Sequence, residues 1–197
     1  MATATATHAT VGSSGSFMER LNHEWHEYAM RTFMVIVLGH WMEHFLQTFQ
    51  IYVLGWPVPA AKGMLGMVFP SLVTSEVMHY GYALVMLVFL FALRPGFTGK
   101  LERRWWTLAL AIQFFHHIEH ALLQYQAATG HFFFGRPVPT SIAQLWVPRV
   151  ELHLFYNTIV FVPMIVAMYY HMFPPADEPV RPQCSCAFDT RSAVSPI

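Results

Sequence analysis

The chain has 197 residues, 55% hydrophobic and 16% aromatic, with only 11% charged and no net charge. Ordinary soluble domains carry about 25% charged residues, so this chain has too few polar groups to wrap a soluble surface. The balanced charge, with no basic run, also argues against a nucleic-acid partner.

Residues 1–16, MATATATHATVGSSGS, predict a disordered N-terminal tail and lack the basic start and apolar middle of a cleavable signal peptide. Residues 17–30, FMERLNHEWHEYAM, predict an amphipathic helix lying on a membrane surface. Four apolar stretches follow, near 30–54, 72–93, 105–128 and 149–172. Each has about the 20 residues that a helix needs to cross a hydrocarbon core of about 30 Å. A soluble four-helix bundle would show a polar face on every helix, and these stretches show almost none outside their His and Glu positions. The expectation is an all-α integral membrane protein, with four transmembrane helices in a membrane domain over 17–173. The tail at 174–197 is Pro-rich and reads as flexible. It holds the only cysteines, Cys184 and Cys186, too close together for a disulfide framework and read as incidental.

Lys and Arg set the orientation. Arg20, Arg31, Arg94, Lys100, Arg103, Arg104, Arg181 and Arg191 fall on one side, and Lys62, Arg136 and Arg149 on the other. The richer side is cytoplasmic by the positive-inside rule, so both termini are expected to face the cytoplasm.

The block HWMEHFLQTFQ, beginning at His40, recurs as HHIEHALLQYQ, beginning at His116. Each leads to a similar loop, GWPVP at 55–59 and GRPVP at 135–139. Each loop leads to a helix opening with an acid and a histidine, EVMHYGY at 76–82 and ELHLFY at 151–156. Tyr82 follows His79 as Tyr156 follows His153, while the acids are one place out of register. Three features in the same order predict a duplicated two-helix hairpin, with repeat 1 over about 30–93 and repeat 2 over about 105–172. Two crossings per copy give both copies one orientation. The expected architecture is a four-helix bundle with a pseudo-two-fold axis along the membrane normal.

Positions i, i+3 and i+4 share a helix face, which groups His40, Glu43 and His44, and likewise His116, Glu119 and His120. The second helices add Glu76 with His79 and Glu151 with His153. An intramembrane carboxylate costs several kcal/mol unless compensated, and two divalent ions would cancel four carboxylates. Ferritin-like sites build two metals into a four-helix bundle from Glu and Glu-x-x-His. These ten residues are therefore the expected metal ligands, with Tyr82 and Tyr156 as groups that orient them and His117, about 100° off the His116 face, as an outer group or one on a proton or electron pathway. The competing reading is mutual His–Glu hydrogen bonding without metal. His8, His23, His26, His131 and His171 read as ordinary core or interface histidines, and the twelve Met residues as packing.

Imidazole suits Zn, Cu, Fe and Ni, and carboxylates shift the balance toward Fe and Mn. Two ions are expected, iron first, then zinc or copper. A b-type haem between two histidines is the rival, although it needs no glutamate beside each histidine. HWMEH is similar to the HxxxH box, and HHIEH to the HHxxH box, of membrane di-iron enzymes such as fatty-acid desaturases and hydroxylases. Their third box, HxxHH, is absent, and the repeat and the four glutamates differ, so the chain is not assigned to that family. The expected function is a di-iron oxidoreductase in the lipid bilayer that activates oxygen and acts on an apolar or membrane-soluble substrate. Divalent-metal binding or transport and haem electron transfer are the alternatives. An electron donor and a homo-oligomer stay open as partners.

Overall fold

The structure is a computed structural model that describes residues 15–178. Cys184, Cys186, His8, Arg181, Arg191 and nearly all of both expected tails lie outside the described residues. Among the described residues every regular element is helical.

The chain starts with α1, Phe17–Asn22, closed by a capping box in which Ser16 Oγ accepts from the Glu19 amide and Glu19 accepts from the Ser16 amide. The long helix α2, His26–Tyr52, follows after a short break. The expected surface helix over 17–30 is thus divided, and its second half belongs to α2. Short helices α3, Leu65–Val68, and α4, Ser71–Thr74, sit in the first long loop. Then come α5, Glu76–Leu93, α6, Lys100–Thr129, and α7, Arg149–Met172. Ser75 caps α5 by accepting from the Met78 amide.

Packing runs from α2 to α5, α5 to α6, α6 to α7 and α7 back to α2. The four long helices form a closed ring, with α2 diagonal to α6 and α5 diagonal to α7. Their common core includes Phe33, Met86, Leu90, Trp106, Val160 and Met164. Trp106 is fully buried because its indole N–H donates to the Leu90 carbonyl at 2.7 Å, which removes the cost of an orphan donor.

Among the described residues, two helical segments, Glu76–Gly96 and Arg149–Met172, are long and apolar enough to cross a membrane. The sequence suggested four such segments. The physical reason for the shortfall lies in α2 and α6: α2 carries HWMEH and two further glutamines, and α6 opens KLERR, which dilutes the apolar average.

Both long loops fold back along the helix that precedes them. Gln50 exchanges hydrogen bonds with Gly63, accepting from its N–H at 2.9 Å and donating to its carbonyl at 3.3 Å. Gln126 does the same with Thr140, at 3.2 and 2.8 Å. Gly63 has φ +69°, and a Cβ there would lie 2.2 Å from Glu43 Oε2. The turn needs a glycine for its backbone conformation and for the closeness of the carboxylate.

Candidate functional site

Six histidines from all four long helices meet at the end of the ring that carries the long loops. His44, His79, His116, His120 and His153 are buried, and His40 is half-buried. Within α2, His40 Nε2 and His44 Nε2 are 3.1 Å apart; within α6, His116 Nε2 and His120 Nε2 are 3.2 Å apart. His153 of α7 stands at the centre, with ring centroids 5.1 Å from His44, 5.1 Å from His120 and 5.6 Å from His79. His79 stacks on His120 at 6.0 Å.

Helix geometry fixes several of these rings. His79 Nδ1 faces the Ser75 carbonyl at 3.0 Å, and His153 Nδ1 faces the Arg149 carbonyl at 2.7 Å. A carbonyl only accepts, so Nδ1 carries the proton in both rings and Nε2 keeps its lone pair. His44 Nδ1 contacts Gln47 Oε1 at 2.8 Å, to the same effect. His153 Nε2, His116 Nδ1 and His120 Nδ1 are buried without a protein partner. Metal-ligating histidines usually donate one ring N–H to a carbonyl or carboxylate and present the other nitrogen, and this is the pattern at His44, His79 and His153. Among the described residues, however, no three or more His, Cys, Asp or Glu side chains stand in a closed metal-ligand arrangement. The Nε2–Nε2 approaches of 3.1 and 3.2 Å lie within α2 and within α6.

The four glutamates have other partners. Glu43 accepts the Leu65 amide at 3.0 Å, and Glu119 accepts the Ala143 amide at 2.7 Å. Both therefore hold the folded-back loops. Glu76 forms a two-pronged ion pair with Arg149, and Glu151 accepts the Tyr52 hydroxyl. The carboxylates are compensated by backbone N–H groups, a guanidinium and a phenol, so their charge makes no separate demand for two cations. The one-residue register difference between Glu76 and Glu151 turns them about 100° apart on equivalent helices, which is why their partners differ.

Tyr82 and Tyr156 stack on the cluster without donating hydrogen bonds to its imidazoles. Tyr82 lies on His40 at 3.6 Å and 17°, and Tyr156 on His116 at 4.3 Å and 25°. The Tyr82 hydroxyl is buried without a partner, whereas Tyr156 is hydrogen-bonded to Glu119. His117 turns away and packs on Tyr80 at 5.2 Å.

Two cavities open onto the histidines. One, of about 340 Å³, lies between α2, α5 and the α3–α4 loop, and is lined by apolar side chains such as Val35, Ile36, Leu65, Leu72 and Val73, with His40, His44, Glu43, His79 and Tyr82. The other, of about 180 Å³, reaches His44, His79 and His153 past Lys62 and Arg149.

Sequence reasoning gave no role to Gln50 and Gln126, the loop clamps. Their signal was present, since they are the matched last residues of the repeated block. The same reasoning read His26 and His171 as ordinary core or interface histidines and gave Glu102 no role, yet the three meet at the opposite end of the ring. No repeat marks those three, and they come from three separate helices. No protein-family model, curated protein or solved structure matches the chain.

Proposed function

We propose that this is an integral membrane protein of four spans, built from a duplicated hairpin, that holds a transition-metal centre on His40, His44, His79, His116, His120 and His153. It would act there as an oxidoreductase on an apolar, membrane-soluble substrate. The observation that carries the reading is the convergence of six imidazoles, five of them buried, with Nδ1 of three turned to side-chain or backbone carbonyls.

A bilayer is favoured by where the apolar surface lies. The two spanning windows are only 28% and 39% buried, whereas a core helix of a soluble protein would be mostly buried. Val35, Phe45, Phe49, Val88, Phe91, Phe114 and Val162 all project outward, and a surface this apolar belongs in lipid. Arg20, Arg31, Arg94, Lys100, Arg103 and Arg104 flank one end of the ring, and Lys62, Arg136 and Arg149 the other. By the positive-inside rule the six-histidine cluster lies toward the outer face and both termini lie inside.

Duplication is favoured by paired contacts: the Nε2 pairs of α2 and α6, the tyrosine stacks, the glutamine loop clamps, and the loop amides on Glu43 and Glu119. Each occurs once in each hairpin and starts from matched helix residues.

Two Nε2 atoms about 3 Å apart are at the spacing of neighbouring ligands on one ion with metal–nitrogen bonds of about 2.0–2.1 Å. Each hairpin supplies such a pair, and His79 and His153 are the added imidazoles. One or two ions fit this donor set. Imidazole suits iron, copper, zinc and nickel, and oxidation requires a redox-active member, so iron and copper lead. The preference for iron rested on carboxylate ligands, and the other partners of the four glutamates bring copper level with it. When bound, the ion would supply oxygen activation and electron transfer. The residues supply the rest: Tyr82 and Tyr156 hold the rings by stacking, and the 340 Å³ apolar cavity offers a substrate the edge of His40, His44 and His79.

Transport of a cation is disfavoured by Lys62 in the lining of the polar cavity. Haem is disfavoured because rings from all four helices fill the centre at 5.1–6.0 Å, with no slot for a flat macrocycle. Metal analysis and an optical spectrum of the purified protein test the reading: bound iron or copper without a Soret band is expected. A Soret band, or protein without a transition metal that takes none up on loading, would overturn it.

A further inference from the structure

Beyond the six-histidine cluster, the other end of the ring buries a second group of donors. His26 of α2 is 0% exposed, and both of its ring nitrogens lack a protein partner. An orphan buried polar atom costs about 1–3 kcal/mol, so a fold that seals such a ring twice over calls for a reason. The sealing is specific. A Cβ on Gly96 would sit 2.3 Å from His26 Cε1 and 2.5 Å from Nδ1, so the turn after α5 admits the imidazole only because residue 96 is glycine. Asn22 locks that turn, accepting from the Gly96 amide at 2.8 Å and donating to the Ala92 carbonyl at 2.9 Å.

His171 of α7 faces His26 at a ring separation of 5.1 Å. Its Nδ1 contacts Glu102 Oε2 of α6 at 2.9 Å, and both side chains are at most 4% exposed. Glu102 Oε1 accepts the Gly99 amide at 2.5 Å, which fixes the carboxylate. A buried carboxylate that orients an imidazole, beside a second imidazole whose nitrogens have no partner, is the ligand pattern of a carboxylate–histidine metal site. Phe97 closes one wall, 5.6 Å from His26 and 4.9 Å from His171.

We propose that His26 and His171, with Glu102 as the carboxylate that orients His171, form a second site for a borderline divalent ion such as zinc, copper or iron. It is separate from the six-histidine cluster. At 1.5 Å per residue, His26 is about 21 Å from His40 along α2, and His171 about 27 Å from His153 along α7. The site draws on helices α2, α6 and α7, so an ion there would tie the cytoplasmic end of the ring together.

The test is Co²⁺ titration of the full-length protein in detergent, read by its visible d–d bands and by equilibrium dialysis. The His44→Ala/His120→Ala double variant removes the first cluster from the measurement. In that background one Co²⁺ equivalent is expected to remain. His171→Gln should weaken it at least 100-fold, and Glu102→Gln about 10–100-fold. His26→Phe keeps a ring in the pocket and removes both orphan nitrogens. It should still fold, with a cooperative metal-free melting transition, and lose the Co²⁺. Unchanged Co²⁺ binding in His26→Phe and His171→Gln would overturn the site, as would no bound equivalent in the double variant while His26 and His171 are intact.

Discussion

In the first hairpin His44 Nδ1 rests on Gln47 Oε1; in the second, the matched position is Leu123, and His120 Nδ1 is buried without a partner. The first hairpin pairs Glu76 with Arg149, while the residue equivalent to Glu76 is Val150. Trp41 donates its indole N–H to Thr158 at 3.1 Å, and its counterpart His117 packs on Tyr80. Against these differences, the imidazole pairs, the tyrosine stacks, the glutamine clamps and the acid that holds each loop are the same. The two hairpins keep what places imidazoles at the centre and differ in what surrounds them. That pattern is expected if the shared residues bind one common ligand and the unshared ones tune it.

The largest effect is expected where the copies agree. His44→Ala and His120→Ala should each remove most of the metal from the six-histidine cluster, by at least 100-fold in affinity, whereas His131→Ala should bind as the parent does. Competitive chelation in the His26→Phe background, which removes the proposed second site, measures this. A large loss from one hairpin and none from the other would break the matched reading of the two copies.

Next come the groups that orient a ring. Gln47→Leu makes the first hairpin resemble the second, and should weaken metal binding about 10–100-fold by freeing the His44 ring. Leu123→Gln is the converse change and should tighten binding at His120. If both substitutions leave affinity unchanged in the same chelation assay, Gln47 does not orient a ligand.

Smaller effects follow from the two displaced acids. Glu76→Gln breaks a partly buried ion pair and should cost about 1–2 kcal/mol, between the ranges for exposed and buried pairs. Glu151→Gln replaces a charged acceptor of an exposed phenol by a neutral one and should lower the unfolding midpoint less than Glu76→Gln does. Unfolding midpoints in matched detergent would rank them, and the reverse order would show that Glu151 has the deeper role. The smallest change is expected for His117→Phe and Tyr82→Phe. His117 faces Tyr80, and the Tyr82 hydroxyl has no partner while its ring stacks on His40. Metal content should be retained in both. Loss of metal in His117→Phe with retention in His116→Phe would replace the matched set by one centred on HHIEH.

How far the sequence could be read depended on whether a feature was local. The four long helices follow from apolar length and the histidine grouping from helical spacing, because both are set within a few residues. The repeat made Gln50 and Gln126 visible as a pair, although not their task, since a side chain that clamps a loop is recognised only once the loop has a path. The four glutamates share faces with the histidines in sequence, yet their partners are amides, Arg149 and Tyr52, brought in from other segments. Spacing on one helix says which residues are neighbours and not which way a long carboxylate side chain turns. The group of His26, Glu102 and His171 was invisible for the same reason: each residue is alone on its helix, and only the packing of α2, α6 and α7 joins them.

Buried imidazoles, and not the glutamates beside them, are proposed to hold the metal. X-ray absorption at the edge of the bound metal in the His26→Phe protein tests this most directly. A first shell of nitrogen with the multiple-scattering signature of at least three imidazoles is expected, unchanged in Glu76→Gln. A shell dominated by oxygen, or one that loses a ligand in Glu76→Gln, would contradict the claim.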